Sequence, residues 1–262
     1  MGGALTRRAW TISALTAALV LAIVAVTASS NCEARRLSAP NLAAGFESGL
    51  AGFNLSGVGE VVPEVIPPGD PPGDASCRFV LRGREDRSEL VLGGDGNYGD
   101  YKTVDFEEGS EAWYGFSVLV RKMVYGRPGA HNLFMQFKSE GTGSPNFGLQ
   151  LWDVDGERGL WTGGRSQEID HDGERFLAPL RQERWHRIEI HFRASNEGAG
   201  FYQVFLDGQL VDSHRNVSMI VPNHDSAYIK TGLYRNGGEI PGKSVLLLDS
   251  VKLGPTRASV AG

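Results

Sequence analysis

From Phe46 onward, apolar residues return at every second position rather than at every third or fourth. The clearest runs are Phe79-Leu81, Ser88-Leu90-Leu92, Tyr114-Phe116-Val118-Val120, Leu133-Met135-Phe137, Phe147-Leu149-Leu151 and Ile188-Ile190-Phe192. Tyr202-Val204-Leu206, Ile229-Thr231-Leu233 and Val245-Leu247 continue the pattern. Successive side chains of a strand point to opposite faces, so a period of two predicts β-strands with one buried face. Val80, Val91, Leu119 and Phe134 interrupt the alternation and predict strands covered on both sides. Gly93-Gly94-Asp95-Gly96, Asp155-Gly156, Asp172-Gly173, Asp207-Gly208 and Asn236-Gly237-Gly238 fall between the runs and supply turn chemistry. The stretch 62–74 is too rich in proline for a central strand and is expected in a surface loop or at a sheet edge. The sequence contains no long amphipathic helix, internal repeat or second domain. The predicted fold class is all-β, a sandwich of two antiparallel sheets whose concave face offers a groove suited to a linear polymer.

The N-terminus follows a different pattern. Arg7 and Arg8 precede an apolar run from Ala9 to Ala28, the form of a secretory signal peptide, with Val26-Thr27-Ala28 at the cleavage spacing. The run is also long enough for an uncleaved anchor, and Cys32 is a candidate for lipid attachment, although Asn31 stands where a small residue is expected. Residues 1–36 are therefore set apart as signal and tail, 37–262 as one folded domain, and the protein is expected to be secreted or held at the cell envelope. In an oxidising compartment Cys32 and Cys77 are able to pair; the alternative is an inert, buried Cys77.

Composition sharpens this picture. With 41% hydrophobic residues the chain can bury a core without metals or multiple disulfides, and its 35 glycines and 12 prolines, free of a triplet repeat, point to many tight turns. The formal net charge is −5, but four of the 26 basic and one of the 31 acidic residues lie in 1–36, leaving 22 and 30, a net −8, for the domain. That argues against a broad nucleic-acid or heparin-type footprint, so a polyanionic partner requires positive charge concentrated in one cleft. No stable protein partner is implied.

Strand parity identifies which polar residues share a face. With Ser88, Leu90 and Leu92 inward, Arg87 and Glu89 point out; with Leu133, Met135 and Phe137 inward, Asn132, Gln136 and Lys138 point out. By the same rule Asn146, Gln150 and Trp152 point out around Phe147, Leu149 and Leu151, and Tyr228, Lys230, Gly232 and Tyr234 point out around Ile229 and Leu233. If these four strands share one sheet, the face is cationic, hydrogen-bonding and partly aromatic on an otherwise acidic protein. The bland alternatives are a solvated Arg87–Glu89 pair and surface aromatics at Trp152 and Tyr228.

Arg87-Ser88-Glu89-Leu90, Gln136-Phe137-Lys138 and Tyr228-Ile229-Lys230-Thr231-Gly232-Leu233-Tyr234 resemble, in order, three motifs of jelly-roll alginate and glucuronan lyases. Tyr114-Gly115-Phe116-Ser117, Trp185-His186, Phe205-Leu206-Asp207-Gly208 and Leu248-Asp249-Ser250-Val251 resemble the heparin lyase I-like polysaccharide lyases. The resemblance covers about residues 46–254 and implies a concanavalin A-like jelly roll that cleaves an anionic, uronic-acid-containing polysaccharide by β-elimination. Such a reaction needs one group to hold the uronate carboxylate, a second to take the C5 proton and a third to protonate the departing O4. By resemblance Arg87 and Gln136 bind the carboxylate, Tyr234 carries the proton, Lys230 lowers the tyrosine pKa or binds an anionic group, and Gly232 lets the sugar approach the backbone. Glu89, Asn132, Asn146, Gln150, Trp152 and Tyr228 are the expected substrate contacts.

One position departs from the pattern: Lys138 stands where many of these lyases have histidine. A lysine acts as a base only when burial or neighbouring cations lower its pKa, so the expected repair is that Tyr234 serves as both base and acid. His131 has the parity of Leu133 and Met135 and is expected away from the cleft unless a bulge intervenes. Two other readings remain: a non-catalytic carbohydrate-binding relative, or a glycoside hydrolase using Glu168, Asp170 and Glu174. The latter requires carboxylates on one strand face, yet Asp172-Gly173 intervenes. His171 between two aspartates is explained by turn chemistry. No cofactor is required. Glu47 and Asp249 resemble positions that hold a structural calcium in some jelly-roll proteins, the alternative being plain surface carboxylates.

Overall fold

The alternating runs become strands. The computed structural model describes residues 42–56, 61–68, 74–93, 104–139, 145–163 and 174–262. All of these belong to the unit Leu37–Gly262, the other unit being Met1–Arg36. The signal-like segment, Cys32, Glu168, Asp170, His171 and the Asp172-Gly173 turn therefore lie outside the described residues.

The strands are β1 (Leu42–Ala44), β2 (Phe53–Leu55), β3 (Glu64–Ile66), β4 (Ser76–Leu81), β5 (Arg87–Leu92), β6 (Phe106–Glu107), β7 (Glu111–Lys122) and β8 (Asn132–Ser139). They continue as β9 (Phe147–Val154), β10 (Glu157–Gly163), β11 (Arg175–Pro179), β12 (Trp185–Arg193), β13 (Gly200–Leu206), β14 (Gln209–Val217), β15 (Ser226–Arg235) and β16 (Ser244–Gly254). A single short helix among the described residues, α1 (Arg257–Val260), closes the chain. The first sheet runs β14-β13-β12-β7-β16-β4-β3 with β1 beside β16; the second runs β11-β10-β9-β8-β15-β5-β2 with β6 beside β15. Every pairing between these strands is antiparallel. The fold is thus an all-β jelly-roll sandwich.

Its core forms where the inner faces meet: Phe79, Tyr114, Phe116, Ile190 and Leu246 of the first sheet join Leu90, Phe137, Leu149, Ile229 and Leu233 of the second. At ~25 cal/mol per Å² of apolar surface removed from water, this contact is the main source of stability. Leu119, Val245 and Leu247, with Ile66, Val80 and Trp185, form a separate apolar cluster on the first sheet. Val80 and Leu119 therefore break the alternation because their own face is also covered. The proline-rich stretch supplies β3 at the edge of that sheet. Asp155 and Gly156 (φ 52° and 89°), and Asp207 and Gly208 (φ 48° and 83°), form the two-residue hairpin turns expected of Asp-Gly.

The segments flanking the three motifs are structural. Asp207 accepts from the His186 ring (Nδ1–Oδ2 2.8 Å) and from the Arg187 backbone N–H (2.8 Å). Arg187 donates to the carbonyls of Ser250 (2.9 Å) and Val260, tying β12 to β16 and α1. Gly115 is needed here, since a Cβ would lie 2.6 Å from the Arg187 guanidinium. Cys77 is a free, fully buried thiol within the core, and burial pushes its pKa up. Among the described residues no helix is long and apolar enough to cross a membrane.

Candidate active site

Strands β9, β8, β15 and β5 are consecutive in the second sheet, so the three motifs lie side by side. On β5 and β15 the parity rule holds. Leu90, Leu92, Ala227, Ile229 and Leu233 enter the core, and Arg87, Glu89, Tyr228, Lys230 and Tyr234 take the opposite face. Register sets their order: Tyr234 pairs with Arg87, Gly232 with Glu89, Lys230 with Gln136 and Tyr228 with Lys138. The result is a strip running along the sheet from Lys138 and Tyr228, past Lys230 and Gln136, to Arg87 and Tyr234.

Glu89 lies at the centre of this strip and is only 1% exposed. One carboxylate oxygen accepts from the Gln136 amide across β15, where Gly232 leaves no side chain in the way; the other lies 3.4 Å from Arg87 Nε. Glu89 is therefore the brace beneath two donors rather than half of a solvated surface pair. The Arg87 guanidinium also lies over the Tyr234 ring, 3.9 Å from its centroid. An amide has two N–H donors and a guanidinium five, and Glu89 engages one from each.

Lys230 is buried, and its ammonium donates to Ser56 Oγ at 2.7 Å, beyond the end of β2. Its field is felt at Lys138. Partial burial first, then the charges of Lys230 and Arg87, hold the Lys138 ammonium below the ordinary lysine range, with Glu89 opposing them. The condition that a lysine base requires is thus partly met.

On β8 the expected parity holds from Met135 to Lys138 but fails before it. Pairing slips between Leu133 and Met135 on the β9 side and between Thr231 and Tyr234 on the β15 side. Phe134 and Met135 both enter the core, as a β-bulge allows. Leu133 moves to the outer face, where it packs over Gly148, and His131 moves with it: its ring centroid is 4.4 Å from that of Tyr234. Asn132 is turned inward, fully buried, with its amide donating to Val124 O at 2.6 Å. Asn146 is buried as well, donating to Ser139 Oγ (2.7 Å) and Met219 O (2.5 Å). The structure places neither asparagine on the strip, because both amides donate to groups within the protein.

Gln150 keeps its outward parity, with its amide lying over Gly163. Trp152 also keeps its parity but is only 1% exposed, because the β7–β8 connection crosses it: Gly126 donates to Leu151 O (2.8 Å) and accepts from Asp153 N (3.0 Å). A sugar has no access to that ring. Gly232 adopts φ +139°, and a Cβ there would lie 2.4 Å from Ser88 O and 2.8 Å from Glu89 Cα. Its lack of a side chain serves the bulge and the neighbouring strand. Ser56 was not foreseen as part of the site, and His131 was expected there only if a bulge intervened; the signal for that bulge was Phe134, an apolar residue breaking alternation beside a glycine-containing strand.

Among the described residues no three His, Cys, Asp or Glu side chains are arranged to hold a metal. Burial, together with the charges of Glu47 and Asp74, pushes the Asp249 carboxyl up. Glu174, the described member of the hydrolase set, precedes β11, and three strands separate β11 from β15.

Against this geometry the comparisons with known proteins are informative. The endo-beta-1,4-glucuronan lyase from the fungus Trichoderma reesei superposes with a TM-score of 0.58 at 18% identity, covering 85% of this chain and 98% of that one. Alginate lyase Aly36B gives 0.54 at 9% identity, covering 82% and 96%, and the cellulose induced protein Cip1 gives 0.54 at 13%, covering 82% and 97%. At these identities the likeness is one of fold. A comparison with curated proteins finds no match. Residues 67–252 match the family model for polysaccharide lyases. That match spans well over half of the sequence, and the chain belongs to the polysaccharide lyase family.

Proposed function

We propose that this protein is an exported lyase, related to the heparin lyase I-like group, that cleaves a uronic-acid-containing polysaccharide by β-elimination on the strip formed by β5, β15 and β8. The observation that carries the reading is the Arg87–Glu89–Gln136 brace set beside Tyr234 on one face. The remaining donors of Arg87 and Gln136 hold the uronate carboxylate and stabilise the charge that develops on it as C5–H is lost. Glu89 is acceptor-only, so it orients both donors without binding the substrate itself. The Tyr234 oxygen takes the C5 proton, the electron pair becomes the C4–C5 double bond, the C4–O4 bond breaks, and the same proton passes to the departing O4. Lys138 and Tyr228 contact the polymer further along the strip. One observation favours a second assignment of the base: the lowered pKa of Lys138. Glucuronan- and alginate-type polymers suit this acidic domain better than heavily sulfated heparin.

Ultraviolet absorbance during incubation with a panel of uronic-acid polymers tests the reading, since only elimination creates a conjugated, absorbing product. Absorbance is expected to rise on at least one polymer. Tyr234→Phe is expected to lose nearly all of this activity with polymer binding retained, and Arg87→Ala to weaken both binding and turnover. Reducing sugar released without absorbance would move the protein to the hydrolases, and binding without either product would make it a carbohydrate-binding relative. Lys138→Met is expected mainly to raise KM; a loss in kcat of ~1000-fold, about 4 kcal/mol, would give the base role to Lys138.

A further inference from the structure

A tyrosine that takes a proton from one atom and delivers it to another needs its hydroxyl held in direction, because small displacements of a reacting group are costly in rate. Tyr234 is half-buried, and β15 lies between β5 and β8. From the β5 side Arg87 covers the ring at 3.9 Å. From the β8 side the His131 ring meets it at 4.4 Å between centroids with a tilt of 51°.

His131 reaches this position only because of the bulge, and its backbone is fixed there. His131 O accepts from Asn236 N at 3.1 Å, continuing the β8–β15 ladder past Arg235. The next residue, Asn132, is pinned by its amide to Val124 O at 2.6 Å, and Arg235 N donates to Asp86 O at 2.8 Å. The strand ends that carry His131 and Tyr234 are thereby locked to each other and to the β4–β5 turn. A backbone at Gly232 that only glycine adopts readily and a loss of regular register on β8 accompany this arrangement.

We propose that His131 is a positioning residue for Tyr234: with Arg87 it clamps the phenol ring from both flanks and sets the direction of its hydroxyl. The inference rests on the lyase chemistry assigned above to Tyr234. It gives the bulge a function, and it adds to the site a residue outside all three motifs.

Steady-state elimination kinetics on the polymer that wild type cleaves, with thermal unfolding as a check of the fold, test the clamp. His131→Ala is expected to lower kcat about 10- to 100-fold while KM stays within about twofold, since orientation rather than affinity is lost. His131→Phe, which keeps a flat ring against Tyr234, is expected to recover most of that loss. In the Tyr234→Phe background His131→Ala should leave the residual rate unchanged, because the direction of a missing hydroxyl no longer matters. A folded His131→Ala variant with wild-type kcat, a His131→Phe variant as impaired as the alanine, or an additive loss in the Tyr234→Phe background would each overturn the clamp. Should wild type form no unsaturated product, the lyase chemistry itself fails; should Tyr234→Phe remain fully active, only its assignment to Tyr234 fails; the clamp falls with either. A dead Tyr234→Phe beside an unimpaired His131→Ala removes the clamp alone.

Discussion

Glu89 shows how a residue's position in the sheet decides its role. An arginine and a glutamate two apart on a strand share a face, and on a solvated surface such a pair contributes little. Here the carboxylate is buried, and it holds Arg87 and Gln136 from two different strands. A hydrogen bond to a charged group, as from Gln136 to Glu89, contributes ~1.5–3 kcal/mol. Glu89→Gln preserves shape but removes the charge that anchors Arg87. It is expected to lower kcat/KM on the cleaved polymer about 10- to 100-fold, the rate equivalent of that range, as read by initial rates of absorbance. An unchanged kcat/KM would mean that Arg87 and Gln136 are held by their own strands without the brace.

At the scale of the element, the bulge is the decisive feature. It allows Phe134 and Met135 both to enter the core, re-aims His131 and Leu133, and turns Asn132 inward. Its counterpart on β15 is Gly232, where positive φ and close approach to β5 act together. Gly232→Ala combines backbone strain of ~1–3 kcal/mol with a clash against Ser88 O. In a domain of this size each kcal/mol moves Tm by ~2–4 °C, so a drop of several degrees is expected in calorimetry. Gly156→Ala is the control: its φ is also positive, but a Cβ there meets nothing within 4 Å. It should lower Tm less than Gly232→Ala. Equal losses would mean that φ strain alone, and not the approach of β5, makes position 232 glycine.

At the scale of the whole molecule, a chain of net charge −5 gathers Arg87, Lys138 and Lys230 on one strip. That crowding carries a stability consequence. The Lys138 pKa in the folded state lies below the ordinary lysine value of 10.5, so the folded state binds fewer protons than the unfolded state between those two pKa values. Stability contributed through Lys138 therefore rises with pH across that window, and below it the charged lysine is a constant burden. Lys138→Met removes the titration. The difference in unfolding free energy between variant and wild type should favour the variant most at neutral pH and shrink as pH climbs toward 10.5. Denaturant melts of both proteins across this range measure it. A difference that stays flat with pH contradicts a lowered lysine pKa.

Alternation and turn chemistry were enough to determine the two-sheet architecture, the Asp155-Gly156 and Asp207-Gly208 hairpins and the edge position of the proline-rich stretch. Local patterns suffice because a strand's period and a turn's φ requirement are properties of adjacent residues. The order of Arg87, Glu89, Lys230 and Tyr234 along one face was legible for the same reason, since β5 and β15 pair without a slip in register. Tertiary structure alone decided the rest. Whether Trp152 meets solvent depends on a loop crossing it; whether Asn132 and Asn146 face a cleft depends on which carbonyls lie within their reach; and the Lys230 partner, Ser56, is 174 residues away in sequence. His131 carried the parity of a core residue, and only the pairing of β8 with two neighbours of different register brings it to Tyr234. A bulge is settled by the competition between long-range pairings, which a single strand's pattern does not contain.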